Sequence, residues 1–337
     1  MIWKKKLCVL AALMTVLSGC SGTTKESVVP NQKQEIMEAD KKNRNLPEIV
    51  CATFPEYDWV RNILGDQMEK FHVTLLVQNG MDLHSYQPSA EDMITISDSD
   101  VFIYTGGVSD SWVEDVRRTG QTEKQQILNL MEALGERIKT EEIAEGMEHT
   151  HGQEEETHIA LDEHIWLSLK KAAVLVESLE QALVSFDEKN AAVFQKNADT
   201  YAAQLEELDR KYQAAVESAA NKTVLFGDRF PFRYLTDDYG LEYYAAFTGC
   251  SAETEASFET ITFLAGKLEE LQLPAVLVIE NSDQKLAETI INSTKERNAE
   301  ILIMNSLQSV KREDMEAGVS YISVMEENLQ VLKAALG

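Results

Sequence analysis

Four of the chain's six histidines fall within a single acidic stretch between Glu148 and Ser168. They are His149, His151, His158 and His164. Imidazole nitrogen is a common ligand for zinc and other transition metals. The first three stand among glutamates, a composition that cannot bury a core and predicts a mobile acidic loop over residues 141–160. Two interpretations stay open for that loop. It is either a solvent-exposed acidic segment without a binding role, or a segment that weakly attracts cations near a true metal site.

His164 has a different setting from the other three. The sequence LDEHIWLSLKKAAVLVESL predicts a helix that runs on from this histidine. The positive end of a helix favours the neutral imidazole, which is the form that binds metal. Asp162 and Glu163 are close enough in sequence to accept hydrogen bonds from the ring. We therefore predict that His164 is a ligand and that Asp162 supports it.

His84 lies in QNGMDLHSYQPSAED, between a strand that ends at Val77 and a helix that Ser89 can cap with Asp92. A residue placed there projects from the carboxyl end of a parallel strand, where open α/β sheets bind their ligands. His84 is therefore the second predicted ligand. His72 lies inside a strand pattern, and we interpret it as a structural residue near a sheet edge.

Short apolar runs alternate with helical patterns along the chain, which predicts an α/β fold. The runs cover residues 48–54, 71–77, 101–106, 124–130, 222–228, 241–247, 274–280 and 299–305. Residues 187–219 contain neither Gly nor Pro and carry an apolar stripe from Phe194 to Ala215, which predicts one stiff helix. We expect two lobes, 47–186 and 220–337, each with a short parallel-type sheet flanked by helices. The rigid helix would join them, with a metal cleft between.

The N-terminus predicts export. Lys4, Lys5 and Lys6 precede the apolar run LCVLAALMTV, and Leu17-Ser18-Gly19-Cys20 follows. This order indicates a signal peptide over residues 1–19 and a lipidated Cys20, with residues 20–46 as a disordered polar tether. The expected location is the outer face of a bacterial cytoplasmic membrane, or the periplasm.

Charge and cysteine content narrow the function classes. The net charge of −26 becomes three units more negative without the three N-terminal lysines, which argues against nucleic-acid partners. Cys51 and Cys250 remain once the signal is removed and Cys20 is modified. They are free to pair in an oxidising exterior, or to stay as two separate buried thiols, which is the interpretation we favour.

Two motifs and their order resemble a known family. His84-Ser85-Tyr86-Gln87-Pro88-Ser89 matches a His, an aromatic residue two positions later and a Pro-Ser helix start, and Asp162-Glu163-His164-Ile165-Trp166-Leu167 matches Asp-Pro-His-x-Trp-Leu with Glu for Pro. With the long helix, the chain from about Glu48 onwards resembles the zinc/manganese solute-binding lipoproteins of ABC importers. The resemblance implies a monomeric binding protein, not an enzyme, whose lobes close over one metal ion and whose partners are an ABC permease and its ATPase.

The second lobe departs from the family pattern. In RFPFRYLTDDYGL, Arg229 occupies the place of a third histidine, and a guanidinium cannot ligate a metal. Asn305 occupies the place of a late carboxylate. The resemblance therefore leaves Glu253, Glu255 and Asp228 as candidate ligands from this lobe. Glu280 should face the same cleft, where it could pair with Arg229.

Two imidazoles with one or two carboxylates suit Zn(II), while more oxygen ligands would favour Mn(II), so zinc is the expected metal. The chain has no H-E-x-x-H, G-x-S-x-G, Walker or G-x-G-x-x-G motif, which argues against an enzyme. Two alternatives remain open: a surface adhesin, or a binding protein for a metal chelate or corrinoid. The second would need arginines and aromatics in the cleft, namely Arg229, Arg233, Tyr234, Tyr243 and Tyr244.

Overall fold

A computed structural model of the protein describes residues 46–120, 125–147, 160–251 and 255–337. Its first sheet contains β1 (Glu48–Cys51), β2 (His72–Leu75), β3 (Val101–Tyr104) and β4 (Gln126–Asn129). The strand order is β2-β1-β3-β4, and every pair is parallel. His72 lies on the edge strand β2, where it is exposed and pairs with Glu48, as the sequence predicted.

The second sheet repeats this plan. It contains β5 (Thr223–Phe230), β6 (Glu242–Thr248), β7 (Ala275–Val278) and β8 (Glu300–Ile303), in the order β6-β5-β7-β8 and again all parallel. All eight predicted strands are confirmed. The central strands β3 and β7 are buried along their whole length, as continuous apolar runs require when helices cover both faces of a sheet.

Helices cover the two sheets. In chain order they are α1 (Phe54–Leu64), α2 (Ala90–Asp98), α3 (Val113–Gly120), α4 (Leu130–Leu134), α5 (Leu169–Phe186), α6 (Ala191–Ser218), α7 (Arg233–Tyr239), α8 (Phe258–Glu270), α9 (Lys285–Asn292), α10 (Arg312–Glu316) and α11 (Tyr321–Leu336). No helix in these described ranges is both long enough and apolar enough to span a bilayer.

The predicted long helix is α6. It has 28 residues, which corresponds to about 42 Å. Its buried stripe contains Phe194, Ala198, Tyr201, Leu205, Leu208, Tyr212 and Val216. The sequence placed Ala215 at the end of this stripe, but Val216 is buried there and Ala215 only partly. The helix packs against α5 and α1 of the first lobe and against the C-terminal helix α11.

One apolar core runs through both lobes. It joins Ile49 and Val50 of the first sheet to Phe226 and Leu277 of the second through the long helix, while a smaller core lies under α8 and α9. Buried hydrogen bonds also cross between the lobes: Trp166 Nε1 donates to the Ser306 carbonyl at 2.8 Å. A shared core of this kind limits the relative motion of the lobes.

The predicted acidic loop is closed at its base. Asp162 N donates to the Lys139 carbonyl at 2.8 Å, and Glu141 N donates to the Ala160 carbonyl at 2.7 Å. The described start of the loop packs on the second lobe, because Glu142 pairs with Arg233 at 3.2 Å. Glu141 also contacts the second lobe, since it accepts from Cys250 N at 2.9 Å.

Several predictions fall outside the described residues. They are the signal peptide over 1–19, the lipidated Cys20 and most of the tether, the loop histidines His149, His151 and His158, and Glu253.

Candidate metal centre

His84 lies where the loop after β2 forms a turn of 3₁₀ helix, Leu83–Ser85. The Asp82 carboxylate accepts from His84 N at 2.9 Å and fixes this turn. The helix α2 then begins with the predicted capping box, in which Ser89 Oγ accepts from Asp92 N at 3.1 Å and Asp92 accepts from Ser89 N at 2.8 Å. Both caps hold the histidine at the carboxyl end of the first sheet.

The His84 ring is oriented through Nδ1. This nitrogen lies 2.8 Å from Ser109 Oγ and 3.0 Å from Glu163 Oε1. Ser109 in turn donates to Glu163 through both its hydroxyl and its backbone N–H. Burial would raise the pKa of Glu163, but the hydrogen bond with His84, the nearby His164 and the Ser109 donors lower it to about 2. The Ser109 hydroxyl therefore links His84 Nδ1 to an ionised carboxylate.

His164 is fully buried and is held by Asp162. Asp162 Oδ1 accepts from both the backbone N–H and Nδ1 of His164, each at 2.9 Å. The helix α5 begins only at Leu169, capped by Ser168, so the predicted helix dipole is not the dominant influence on the ring. Burial alone would lower the pKa of His164, but Asp162, followed by Glu163, raises it above its usual value.

The two imidazoles face each other through their remaining nitrogens. His84 Nε2 and His164 Nε2 are 3.2 Å apart. His164 Nδ1 donates to Asp162, and His84 Nδ1 donates to the Ser109 hydroxyl, which itself donates to Glu163. Both Nε2 atoms therefore present lone pairs in the neutral rings, an arrangement that calls for a shared cation. Two nitrogens bound tetrahedrally to one zinc ion at 2.0–2.1 Å would lie about 3.3 Å apart. The observed spacing fits that requirement.

Cys250 is the third potential metal ligand beside the two histidines. It follows β6, and ligand atoms of His84, His164 and Cys250 all lie within 4.8 Å of one another. Neither Cys250 nor Cys51 forms a disulfide in the structure; Cys51 is buried and Cys250 is half-buried. Burial, then the carboxylates of Glu163 and Glu141, raise the pKa of the Cys250 thiol above its usual value.

The other predicted second-lobe ligands lie elsewhere. Asp228 and Glu255 line a cleft of about 960 Å³, which His84 also lines. Among the described residues, neither carboxylate belongs to the group of potential metal ligands formed by His84, His164 and Cys250. Asp228 accepts from Arg229 N at 2.8 Å, and Glu255 is exposed.

Arg229 and Glu280 do not pair, contrary to the suggestion from the sequence. The Arg229 guanidinium reaches across the cleft to Asp82 at 2.5 Å. Glu280 instead accepts from the loop after β8, including Ser306 N at 2.6 Å and Ser306 Oγ at 2.8 Å. The Asn305 side chain accepts from Leu307 N at 2.8 Å and so stabilises its own loop.

Two residues at the site were not predicted from the sequence, Cys250 and Ser109. The sequence presents Cys250 as a disulfide partner or a buried thiol. Its position directly after an apolar strand, at the carboxyl edge of a parallel sheet, was a usable signal. Ser109 carried none, since a serine in a loop has many ordinary roles.

The fold and the site together define a two-lobed binding protein with a candidate transition-metal centre between its lobes. Residues 49–335 match the family model ZnuA, described as zinc-uptake complex component A, periplasmic. The chain therefore belongs to this family, which consists of solute-binding proteins and not of enzymes.

Individual relatives agree with this membership. The zinc-binding lipoprotein AdcA of Streptococcus pneumoniae is 33% identical over 305 residues, covering 90% of this chain. The high-affinity zinc uptake system protein ZnuA of Bacillus subtilis is 27% identical over 336 residues, covering 98% of this chain and 97% of its own length. The crystal structure of the Zn(II)-bound ZnuA-like domain of S. pneumoniae AdcA superposes with a TM-score of 0.67 and 30% identity, over 87% of this chain and 99% of that domain. The present chain spans 57% of the length of full AdcA.

Proposed function

We propose that this protein captures Zn(II) outside the cytoplasm and delivers it to the permease of an ABC importer, which an ATPase drives. His84 and His164 hold the ion, and the second lobe closes over it. Family membership supports this function, as do a relative named for zinc uptake and another solved with Zn(II) bound.

The pair of facing Nε2 atoms carries the proposal. Their separation of 3.2 Å, with Nδ1 of His164 hydrogen-bonded to Asp162 and Nδ1 of His84 to Ser109, gives a preorganised pair of donors for one cation. Preorganisation favours tight binding because little ordering remains to be done when the ion arrives. Burial of His164 keeps water from competing for the same nitrogen.

The donor types support zinc over manganese. Imidazole suits zinc, while Mn(II) is better served by carboxylate, carbonyl and water oxygens. Three acidic side chains around the histidines, Asp162, Glu163 and Glu141, contribute through charge and hydrogen bonds. We keep Mn(II) as the lesser alternative.

The anchor and the location belong to the same proposal. Cys20 would carry the lipid and residues 20–46 would tether the lobes to the outer face of the membrane. The lipoprotein name of a relative supports this, together with the order of lysines, apolar run and cysteine in the sequence.

A cleft for a chelate or corrinoid fits the described side chains less well. Such a ligand would need free cationic side chains, yet Arg229 pairs with Asp82, and Arg233 pairs with Glu142 and Asp237. Tyr243 stacks on Phe230, with ring centroids 3.8 Å apart.

The test is zinc binding by the purified chain, measured by competition with a chelator of known affinity. Wild type should bind one ion tightly. His84→Ala and His164→Ala should each abolish tight binding, whereas His72→Ala, which removes an exposed edge-strand histidine, should not. Tight binding that survives both site variants, or no tight binding by wild type, would overturn the proposal.

A further inference from the structure

The second lobe needs a metal ligand, because the positions that the family pattern predicts hold Arg229 and Asn305. We propose that Cys250 is that ligand, so that His84, His164 and Cys250 form a His₂Cys site. This inference rests on the proposed function and adds the donor that makes the site span both lobes. Its basis is the grouping of the three ligand atoms within 4.8 Å.

The geometry needs only a small adjustment. A sulfur at 2.3 Å and a nitrogen at 2.0–2.1 Å from a tetrahedral zinc ion would lie about 3.6 Å apart. Since the thiol and the imidazole atoms are already within 4.8 Å, a movement of about 1 Å by the loop after β6 completes the site.

The backbone around Cys250 is built for close approach to the histidines. A Cβ at Gly249 would lie 2.7 Å from His164 Cε1, so only glycine lets the chain pass this close to the ring. Cys250 N donates to Glu141 Oε1 at 2.9 Å, which ties the loop of the second lobe to the first lobe. Cys250 is therefore positioned by contacts on both sides of the site.

Coordination of zinc by Cys250 requires no oxidant, reductant or other reactant. A zinc–sulfur bond replaces the S–H bond, the proton leaves to solvent, and no oxidation state changes. Thiolate is a soft donor, and soft donors favour zinc over manganese. Cys250 would then be the residue that determines the metal preference of a site whose usual second-lobe ligands are replaced.

The test replaces zinc by Co(II), whose spectrum reports sulfur ligation directly. The Co(II)-loaded wild-type protein should show a thiolate-to-metal charge-transfer band. Cys250→Ser should lose that band and bind zinc at least about 100-fold more weakly, more than loss of an outer hydrogen bond costs. Cys51→Ala, which removes the other described free thiol, should keep both properties, and circular dichroism should confirm that the variants are folded.

A replacement at Cys250 distinguishes ligation from packing. Cys250→Asp restores a donor of a different kind, so it should recover affinity relative to Cys250→Ser and shift the zinc-to-manganese preference toward manganese. Recovery of zinc affinity by Cys250→Ala instead would overturn the assignment, because alanine offers packing but no donor.

The inference and the proposed function fail in different ways. Tight 1:1 zinc binding by wild type without a charge-transfer band, and with unchanged affinity in Cys250→Ser, would overturn the ligand role of Cys250 alone. Failure of wild type to bind either ion tightly would overturn both.

Discussion

The first lobe presents two imidazoles oriented by hydrogen bonds to Asp162 and Ser109, whereas the second lobe presents a single thiol, which donates to Glu163 at 3.7 Å. His84 and His164 each have Nδ1 at 3.0 Å or less from an acidic side chain. On the other side, Cys250 N is anchored to Glu141 of the first lobe. Under the proposed function, two sheets of the same topology have different tasks: one prepares the donors and the other closes on them.

This division of tasks requires the lobes to be firmly joined beside the site. The shared core and the buried Trp166 connect the lobes. Trp166 Nε1 donates to the Ser306 carbonyl of the second lobe. The Trp166 ring packs edge-on against the His164 ring, with centroids 5.4 Å apart. The site can then close by small movements without the two lobes separating.

The largest expected effect comes from removing the Trp166 side chain, which connects the two lobes. Trp166→Ala should lower the free energy of unfolding by about 3–5 kcal/mol, because it removes a buried indole and leaves a cavity. It should also weaken zinc binding, since His164 loses a packing neighbour. Chemical denaturation of the metal-free protein measures the first effect.

Trp166→Phe is the matched control, because it keeps an aromatic ring but leaves the Ser306 carbonyl without its donor. A smaller loss of stability than in Trp166→Ala is expected. Two separate unfolding transitions in the wild-type protein would contradict the idea of one cooperative body.

The second effect tests whether the first lobe is preorganised by charge. Asp162→Asn keeps an oxygen that can accept from His164 but removes the negative charge, so zinc affinity should fall about 10–100-fold. Competition titration measures this change. Asp66→Asn, at an exposed position in the same lobe, controls for the loss of one charge. Equal effects of the two variants would mean that only the overall negative potential attracts the ion.

A third effect concerns buried carboxyls beneath the site. Burial raises the pKa of Asp110 to about 7, and burial together with Asp110 raises the pKa of Glu56 to about 8. Asp110 Oδ1 has no hydrogen-bond partner among the described residues. The folded protein therefore keeps a proton on Asp110 at pH values where the unfolded chain, with a pKa of about 3.9, has lost it.

Stability should consequently fall as the pH rises. Between pH 5 and pH 7, Asp110 alone should reduce the free energy of unfolding by about 2 kcal/mol. Asp110→Asn should remove this part of the pH dependence, while Asp66→Asn should retain it. Denaturation of the metal-free protein at several pH values provides the measurement, and identical slopes in wild type and Asp110→Asn would contradict the expectation.

Local patterns explain which features the sequence predicted. The eight strands were predicted because each is a short, continuous apolar run. His84 and His164 were predicted because each lies in a short motif with its own cap or acceptor. Cys250 was missed as a candidate ligand because its partners lie in the other lobe. The Arg229–Asp82 pair was missed for the same reason, since its residues are 147 positions apart.

The smallest expected effect concerns the Arg229–Asp82 ion pair, which should favour closure of the two lobes over the metal ion. Arg229 and Asp82 are partly exposed, so their interaction should contribute about 0.2–1 kcal/mol. Arg229→Gln and Asp82→Asn should each speed zinc dissociation by about 2- to 5-fold, and the double variant should be no faster than either single one. Asp82→Asn keeps the oxygen that caps His84, so a change in this variant reports the ion pair and not the turn.

Stopped-flow release of zinc to a chelator measures these rates. The two single variants also separate closure from simple electrostatics. If Arg229 acted only as a positive charge near the ion, Arg229→Gln would slow zinc release while Asp82→Asn would speed it. Changes in the same direction support a contact between the lobes, because each substitution breaks the same pair. Opposite changes would mean that the second lobe influences the ion through its charge and not through closure.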